Sequence, residues 1–408
     1  MIAEESSNAP SSNAGAAAPP RIRRRQSRWG LYLVVGIILL AAIIGGVAYE
    51  EKWVGGSKPA AAGACPTGET LQGNGAAFIG SLAATWVANF NGASGDTVNY
   101  VAGGSGTGIT DLTDKSVDFA ATDEPLTSAQ VSAMPSPVLT LPVTAGALSI
   151  IYNVPGVPAG LKLSGPVLAD IYLGTITSWN DPAIANNNSG VSLPSATITT
   201  VHRSDAAGTT FVLTDFLSQD SPTWANTVGK GTSVSFPKAP TQVGEKGNSA
   251  LLTYVQTTAD TIGYSDLTDV LTASTATNYA AVLNPTGNYI LPNLTNTAAA
   301  IADRSAVTTF PSALGNWSQV SMVNAAGAQD YPLATFAYFF VYQAADQGFA
   351  PSLAKTQVLV DWLNWVLTAG QSDATGLSYV PLASAVVHIS QAGVQTMTYG
   401  GANIPSCG

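Results

Sequence analysis

At 408 residues the chain exceeds what one hydrophobic core usually holds, so two domains or one bilobal unit is expected. Hydrophobic residues make up 46% and charged residues only 10%, with Gly, Ala, Ser and Thr filling the difference, which excludes a disordered polyelectrolyte and a coiled coil. A net charge of −10 argues against a general nucleic-acid binder.

Residues 1–28 are rich in Ser, Ala, Pro and Asn and end in a basic cluster of Arg21, Arg23, Arg24, Arg25 and Arg28. Such a segment has nothing to pack and reads as a disordered cytoplasmic tail. Leu31 to Tyr49 carries no charge and is long enough to cross a bilayer as a helix. Trp29 and Tyr32 flank one end and Tyr49 and Trp53 the other, as at membrane interfaces, so residues 29–53 read as a transmembrane helix. The arginines keep the N-terminal side in the cytoplasm and place the rest outside. A cleaved signal peptide is the alternative, although the apolar stretch is long for one and no clean cleavage site follows closely. Residues 54–65 form a Gly/Ala-rich linker.

Beyond Val54, nine Lys+Arg stand against 21 Asp+Glu, a net of −12, and only Arg203 and Arg304 are arginines. The two cysteines, Cys65 and Cys407, bracket the exported part. Outside the membrane this placement suggests a disulfide joining the ends; the alternative is two unpaired thiols. Asn187, Asn293 and Asn316 each begin an Asn-x-Ser/Thr sequon.

The first helical pattern has Phe78, Leu82, Trp86, Val87 and Phe90 on one face, with Gly92 as its stop. Strands are expected at Thr97–Val101, Val117–Ala121, Ala147–Tyr152, Thr197–Val201 and Phe336–Val341. A second clear helix runs from Leu353 to Leu367, with Gly370 as its cap. Alternation of strand and helix indicates an α/β fold with mainly parallel sheets.

Three small-residue loops each stand before a helix: Gly73–Ala77, Gly103–Gly108 and Ala206–Thr210. Gly and Ala let a ligand approach the backbone, and the free amides at a helix N-terminus suit an anion. Any one of them read alone is a connector. Arg203 lies just before the third. None is a P-loop, because Gly-Lys-Ser/Thr is absent, and none has dinucleotide-binding spacing. Asp123 closes the run Val117 to Asp123. A carboxylate beside an anion site repels a fully ionised anion but accepts a hydrogen bond from one that keeps a proton. Hydrogen phosphate keeps one at neutral pH and sulfate does not, so Asp123 reads either as a phosphate-selecting acid or as a helix cap.

At these residues the sequence resembles the periplasmic phosphate-binding proteins of ABC-type phosphate importers, the PstS family. The resemblance rests on Gly73–Phe78, Asn99–Ser105, Val117–Asp123, Leu168–Gly174, Trp179–Ile184, His202–Thr209, Lys246–Asn248, Ile262–Tyr264 and Tyr331-Pro332, in the family's order. It implies an α/β, two-lobed periplasmic-binding-protein-like fold (type II), here preceded by one N-terminal transmembrane helix. Lobe I would comprise 66–150 and 333–408, and lobe II 151–332. It implies a function: a membrane-anchored extracellular protein that binds inorganic phosphate and delivers it to an ABC phosphate permease in the same membrane. It further implies ligand residues: Ala77 and Phe78 through backbone amides, Ser105 through amide and hydroxyl, and Asp123 as acceptor of the phosphate proton. Arg203 would donate to phosphate oxygens, oriented by Asp205, and Ala207, Gly208 and Thr209 would complete the set. The family usually carries hydroxyl residues where this chain has Ala77 and Ala207. The loss removes two side-chain donors, which waters or Thr107, Thr122 or Thr210 would have to replace.

No cofactor and no metal are expected. The two histidines, His202 and His388, sit beside no Gly-x-Ser-x-Gly elbow and no metal spacing, so catalysis is not expected. A surface structural, adhesive or sensory protein reusing the fold, or a receptor for another oxyanion, is the alternative function.

Overall fold

The computed structural model describes residues 67–237, 240–349 and 351–404. The expected tail, the apolar stretch Leu31–Tyr49, the linker and both cysteines lie outside the described residues. Among the described residues no helix is long and apolar enough to cross a membrane.

The strands β1 (Thr70–Gly75), β2 (Thr97–Val101), β3 (Phe119–Thr122), β4 (Val138–Asn153), β5 (Thr199–Arg203), β6 (Gln242–Glu245), β7 (Thr261–Asp266) and β8 (Ala334–Tyr342) form one path. Their order is β2-β1-β3-β8-β4-β7-β5-β6, with Asn278–Tyr279 pairing β4 beside it. The outer groups are parallel, as expected: β1 with β2 and β3, and β5 with β6 and β7. The middle is not. Strand β8 runs antiparallel to both β3 and β4, and β4 runs antiparallel to β7. The expectation of mainly parallel sheets is therefore corrected to a mixed sheet. Strand direction depends on long-range pairing, and a buried apolar run such as β8 reads the same either way.

Strand β4 is sixteen residues long and buried along all but its last one. It enters two hydrophobic cores. Residues up to Ala145 pack with Trp86, Phe90, Phe119, Phe339 and Trp362. Residues from Ala147 onward pack with Leu168, Tyr172, Trp179, Val201, Phe216, Trp224 and Tyr264. The return crossing lies alongside: Leu333 belongs to the second core, Ala334 to the first, and Ala334 pairs with Ala147. Gly146 sits at the change of core, where a Cβ would come within 2.8 Å of the Phe78 ring. Ala300, Ile301, Ala313, Trp317, Val320 and Met322 pack into the first core.

Several boundaries differ from the sequence reading. The first helix, α1 (Gly80–Ser94), runs through Gly92 and ends at Gly95, whose φ of +79° is the left-handed cap. Gly92 is exposed inside that helix, where it costs about 1 kcal/mol against alanine without breaking it. The helix Leu353–Leu367 is where expected, but Thr368 caps it; the Gly370 amide then bonds back to the Trp365 carbonyl at 2.9 Å. Strands β3, β4, β5 and β8 overlap their expected spans with shifted or longer ends.

Candidate functional site

The three loops do not simply precede helices; two of them enter the helix. Gly73 to Gly75 finish β1. Helix α2 (Ser105–Thr113) starts within the second loop, after Gly104 at φ +101°. Helix α3 (Gly208–Asp220) starts within the third, with Ala207 as its N-cap. The first turns of α2 and α3 meet: the Gly106 amide donates to the Ala206 carbonyl at 3.1 Å, and the Gly208 amide to the Ser105 hydroxyl at 3.1 Å. Two helix N-termini from different cores therefore face one seam, with their positive dipole ends adjoining.

Asp123 lies at this seam, 1% exposed. The Thr122 hydroxyl bonds with the Glu124 backbone in both directions, fixing the turn that carries it. Asp123 Oδ1 has no hydrogen-bond partner within the protein. Its other oxygen packs so tightly on Gly208 that a Cβ there would sit 2.1 Å from it, which explains a glycine at that position. Burial pushes the carboxyl up from 3.8 to about 8; the Arg203 charge opposes this and Glu124 adds to it. Glu124, also buried, is pushed up to about 7 by burial, with Lys230 opposing and Asp215 adding.

Arg203 ends β5 and is 4% exposed. Asp205 clasps it through two bonds, Nε to Oδ1 at 2.7 Å and Nη2 to Oδ2 at 2.5 Å. Burial works to raise Asp205, but the hydrogen bonds and charge of Arg203 outweigh it and hold the carboxyl below its ordinary value. Nη1 reaches the Thr209 hydroxyl at 3.4 Å and also donates to Asn248 Oδ1. The Arg203 backbone amide donates to the Tyr264 hydroxyl at 2.9 Å, which also pairs with Thr210 at 2.7 Å.

Ser105, Asp123, Arg203, Asp205, Gly208 and Thr209 are thus brought together. Ala77 and Phe78 follow β1, whose Gly75 abuts Ala121, two residues before Asp123. Phe78 is fixed by Tyr379, which donates to its carbonyl at 2.5 Å and meets its ring edge-on at 5.9 Å. The Ala207 amide is already committed, donating to the Thr232 carbonyl at 2.9 Å. Of the threonines considered as substitutes for the lost hydroxyls, Thr122 and Thr210 are engaged elsewhere and Thr107 is exposed. His202 stacks on Phe236 at 4.4 Å and bonds the Arg203 carbonyl at 2.9 Å, a supporting contact. His388 lines a separate apolar cavity.

Asn248 and Tyr264 were not singled out by chemistry from the sequence. Their only signal was membership of the runs Lys246–Asn248 and Ile262–Tyr264. Tyr264→Phe is expected to cost about 1–3 kcal/mol, because it leaves the buried Arg203 amide without its acceptor. Urea unfolding measures this; an unchanged midpoint would show that the amide finds another partner.

The model of the PBP superfamily domain matches residues 60–369. The phosphate-binding protein PstS of Pasteurella multocida is 36% identical over 79% of this chain and 89% of its own length. A solved periplasmic phosphate-binding protein with phosphate bound aligns at TM-score 0.63 and 20% identity, covering 79% of this chain and 93% of its own. A phosphate-binding protein from Stenotrophomonas maltophilia aligns at TM-score 0.60 and 19% identity over the same shares. The two solved structures speak to the fold; the family model and the closer sequence relative go further, and the chain belongs to the PBP superfamily and, within it, to the PstS phosphate-binding proteins.

Proposed function

We propose that the protein binds inorganic phosphate outside the cell and delivers it to an ABC-type phosphate permease, as a receptor rather than an enzyme. The observation that carries this reading is the meeting of Asp123, Arg203 and the N-termini of α2 and α3 at one seam. Two dipole ends and a guanidinium attract an anion, while the buried acid favours one that can share a proton. In this reading phosphate takes the Thr209 group, the one remaining Nη2 donor of Arg203 and the amides of Ala77 and Phe78, and displaces the bond between the Gly208 amide and the Ser105 hydroxyl to take those groups too. Ala207 shapes the turn, since its amide is occupied in this conformation.

In this reading the lobes are 66–150 with 333–408, and 151–332, with the hinge at Gly146 and Leu333–Ala334, where the chain changes cores; Ala147, Leu148 and Ile150 already pack in the second core, which moves that first boundary back to Gly146. The segment Ala300–Met322 then straps the second lobe onto the first core. Residues 29–53 anchor the protein in the membrane with 1–28 in the cytoplasm, and the linker lets the lobes reach the permease. Tethering of this kind raises the effective concentration at the partner. Cys65 and Cys407 close the exported unit by a disulfide; thiol counting on unreduced protein tests it, and two free thiols would remove the bridge.

Titration with phosphate and with sulfate, followed by tryptophan emission, tests the main reading. Five buried tryptophans, Trp86, Trp179, Trp224, Trp317 and Trp362, lie in the two cores and report closure. At pH 9, where Asp123 is ionised, phosphate should change the emission at concentrations where sulfate does not; equal responses there would sink the reading.

Restoring the absent hydroxyls by Ala77→Thr and Ala207→Ser should tighten phosphate binding by roughly 0.5–1.5 kcal/mol for each bond gained. Ala207→Ser should also stabilise the protein by about 1 kcal/mol, because Ala207 is the N-cap of α3 and makes no side-chain capping bond. Calorimetric titration and thermal unfolding separate the two effects. Weaker binding would mean that the pocket has been reshaped around alanine.

A further inference from the structure

Asp205 is not the sole group that grips Arg203. On the other side of the guanidinium stands Asn248, 3% exposed, the first residue of helix α4 (Asn248–Thr257). Its Oδ1 accepts from Arg203 Nη1 and lies 3.4 Å from the Thr209 hydroxyl. Its Nδ2 donates to Asp266 Oδ2 at 2.9 Å. A guanidinium offers donors alone, so the amide oxygen must face Arg203 and the amide nitrogen must face Asp266. Asp266 is held in turn, since its Oδ1 accepts the Asp269 amide at 2.8 Å. It pairs with Leu148 of β4, two residues beyond the glycine where the chain changes cores. The amide therefore spans from the candidate anion ligand to the crossing strand.

The charges around this corner give the amide a second significance. Asp205 already neutralises Arg203. Asp123 faces the guanidinium from the seam, and Asp266, Asp269, Tyr264 and Tyr379 are the other titratable groups nearby. A carboxylate in place of Asn248 would make the same bond to Arg203. It would also add a negative charge beside the anion, and it would set two carboxyl groups face to face where the amide now donates to Asp266. Position 248 thus asks for an acceptor that is neutral on one end and a donor on the other, which an Asn side chain supplies.

We propose that Asn248 is a positioning residue for Arg203, and that its neutrality sets how well the site accepts doubly charged phosphate. This rests on the phosphate reading above. The test uses the full chain, inorganic phosphate as probe, and the variants Asn248→Asp and Asn248→Ala, each compared with the unaltered protein at pH 6 and pH 8. Asn248→Asp should bind phosphate at least about tenfold more weakly at pH 8, through like-charge repulsion. The penalty should shrink at pH 6, where phosphate carries less charge. Asn248→Ala removes the grip without adding charge, so its loss, about fivefold, should be the same at both pH values. Thermal unfolding run in parallel separates a folding defect, which would not change with the charge of the anion. Unaltered affinity in Asn248→Asp, or equal losses at both pH values in both variants, would overturn the proposal. Should Asn248→Asp fail to fold, Asn248→Ala decides, and unaltered affinity there overturns it. Failure of the unaltered protein to take up phosphate overturns the phosphate reading and this proposal together; normal uptake with indifferent variants overturns this proposal alone.

Discussion

Arg203→Ala is expected to weaken phosphate binding by about 2–5 kcal/mol, the usual effect of truncating a charged donor to a buried anion. The guanidinium is 4% exposed, so water cannot readily take its place. The loss also leaves Asp205 without its clasp, and an unpaired carboxylate near the seam then repels the anion. Asp205 is held below its ordinary value by Arg203, so the stability it contributes is present above the unfolded carboxylate range and lost as the pH falls; the variant should lack this acid-side loss. Arg203→Lys should recover little, because an ammonium cannot engage Asp205, Asn248 and Thr209 together. Arg304→Ala is the control: that side chain donates to the Ser321 carbonyl at 2.9 Å rather than to any group of the Arg203 cluster. Calorimetric titration of the three variants checks the ordering, and a larger effect at Arg304 than at Arg203 would place the ligand elsewhere.

The second expected result concerns Asp123 and depends on pH. Burial raises this carboxyl to about 8, so in the ligand-free protein it keeps its proton below that pH and loses it above. An ionised Asp123 rejects sulfate, which has no proton to share, and accepts hydrogen phosphate, which does. A protonated Asp123 can donate to sulfate. Discrimination against sulfate should therefore be widest near pH 9 and narrower at pH 6. Asp123→Asn carries an amide donor at every pH and should show narrow discrimination throughout. The same group affects stability with a definite sign. Between about pH 4 and pH 8 the folded state holds a proton that the unfolded chain releases, so its contribution declines as pH rises, by an amount on the order of several kcal/mol. Asp123→Asn should flatten that decline. Titrations of both anions at the two pH values, with urea unfolding, provide the check. Discrimination in the unaltered protein that ignores pH would remove Asp123 from the role.

What the sequence discloses about this fold follows from range. The strand Thr97–Val101 and the helix Leu353–Leu367 are set by side-chain periodicity within one element, and both are legible. Asp123, Arg203 and the small-residue loops are legible because each is unusual in its local setting. Gly92 and Gly370 misled, since a glycine marks a helix end only where the chain actually turns left-handed, and Gly95 does that. The antiparallel course of β8 was hidden, because Phe336 to Val341 carries no sign of which way its partner runs. Asn248 was hidden for the same reason. It stands 45 positions from Arg203, and apart from its place in the run Lys246–Asn248 nothing near it in the chain distinguishes it from a turn residue. The commitment of the Ala207 amide to Thr232 likewise depends on a loop 25 residues away.

The strand β4 has a consequence for how the protein can be divided. One uninterrupted strand supplies residues to both cores, from Val138 and Leu139 in the first to Ile151 and Tyr152 in the second. A fragment ending at residue 150 would strand Leu148 and Ile150 without the second core, and a fragment beginning there would lose the whole β4 segment that pairs with β8 and part of the edge that pairs with β7. Neither half should be recoverable as a folded piece, and the two cores should melt in a single transition. Gene fusion or insertion should be tolerated instead at exposed turns such as that around Gly156 or Gly287, where the chain serves one core alone.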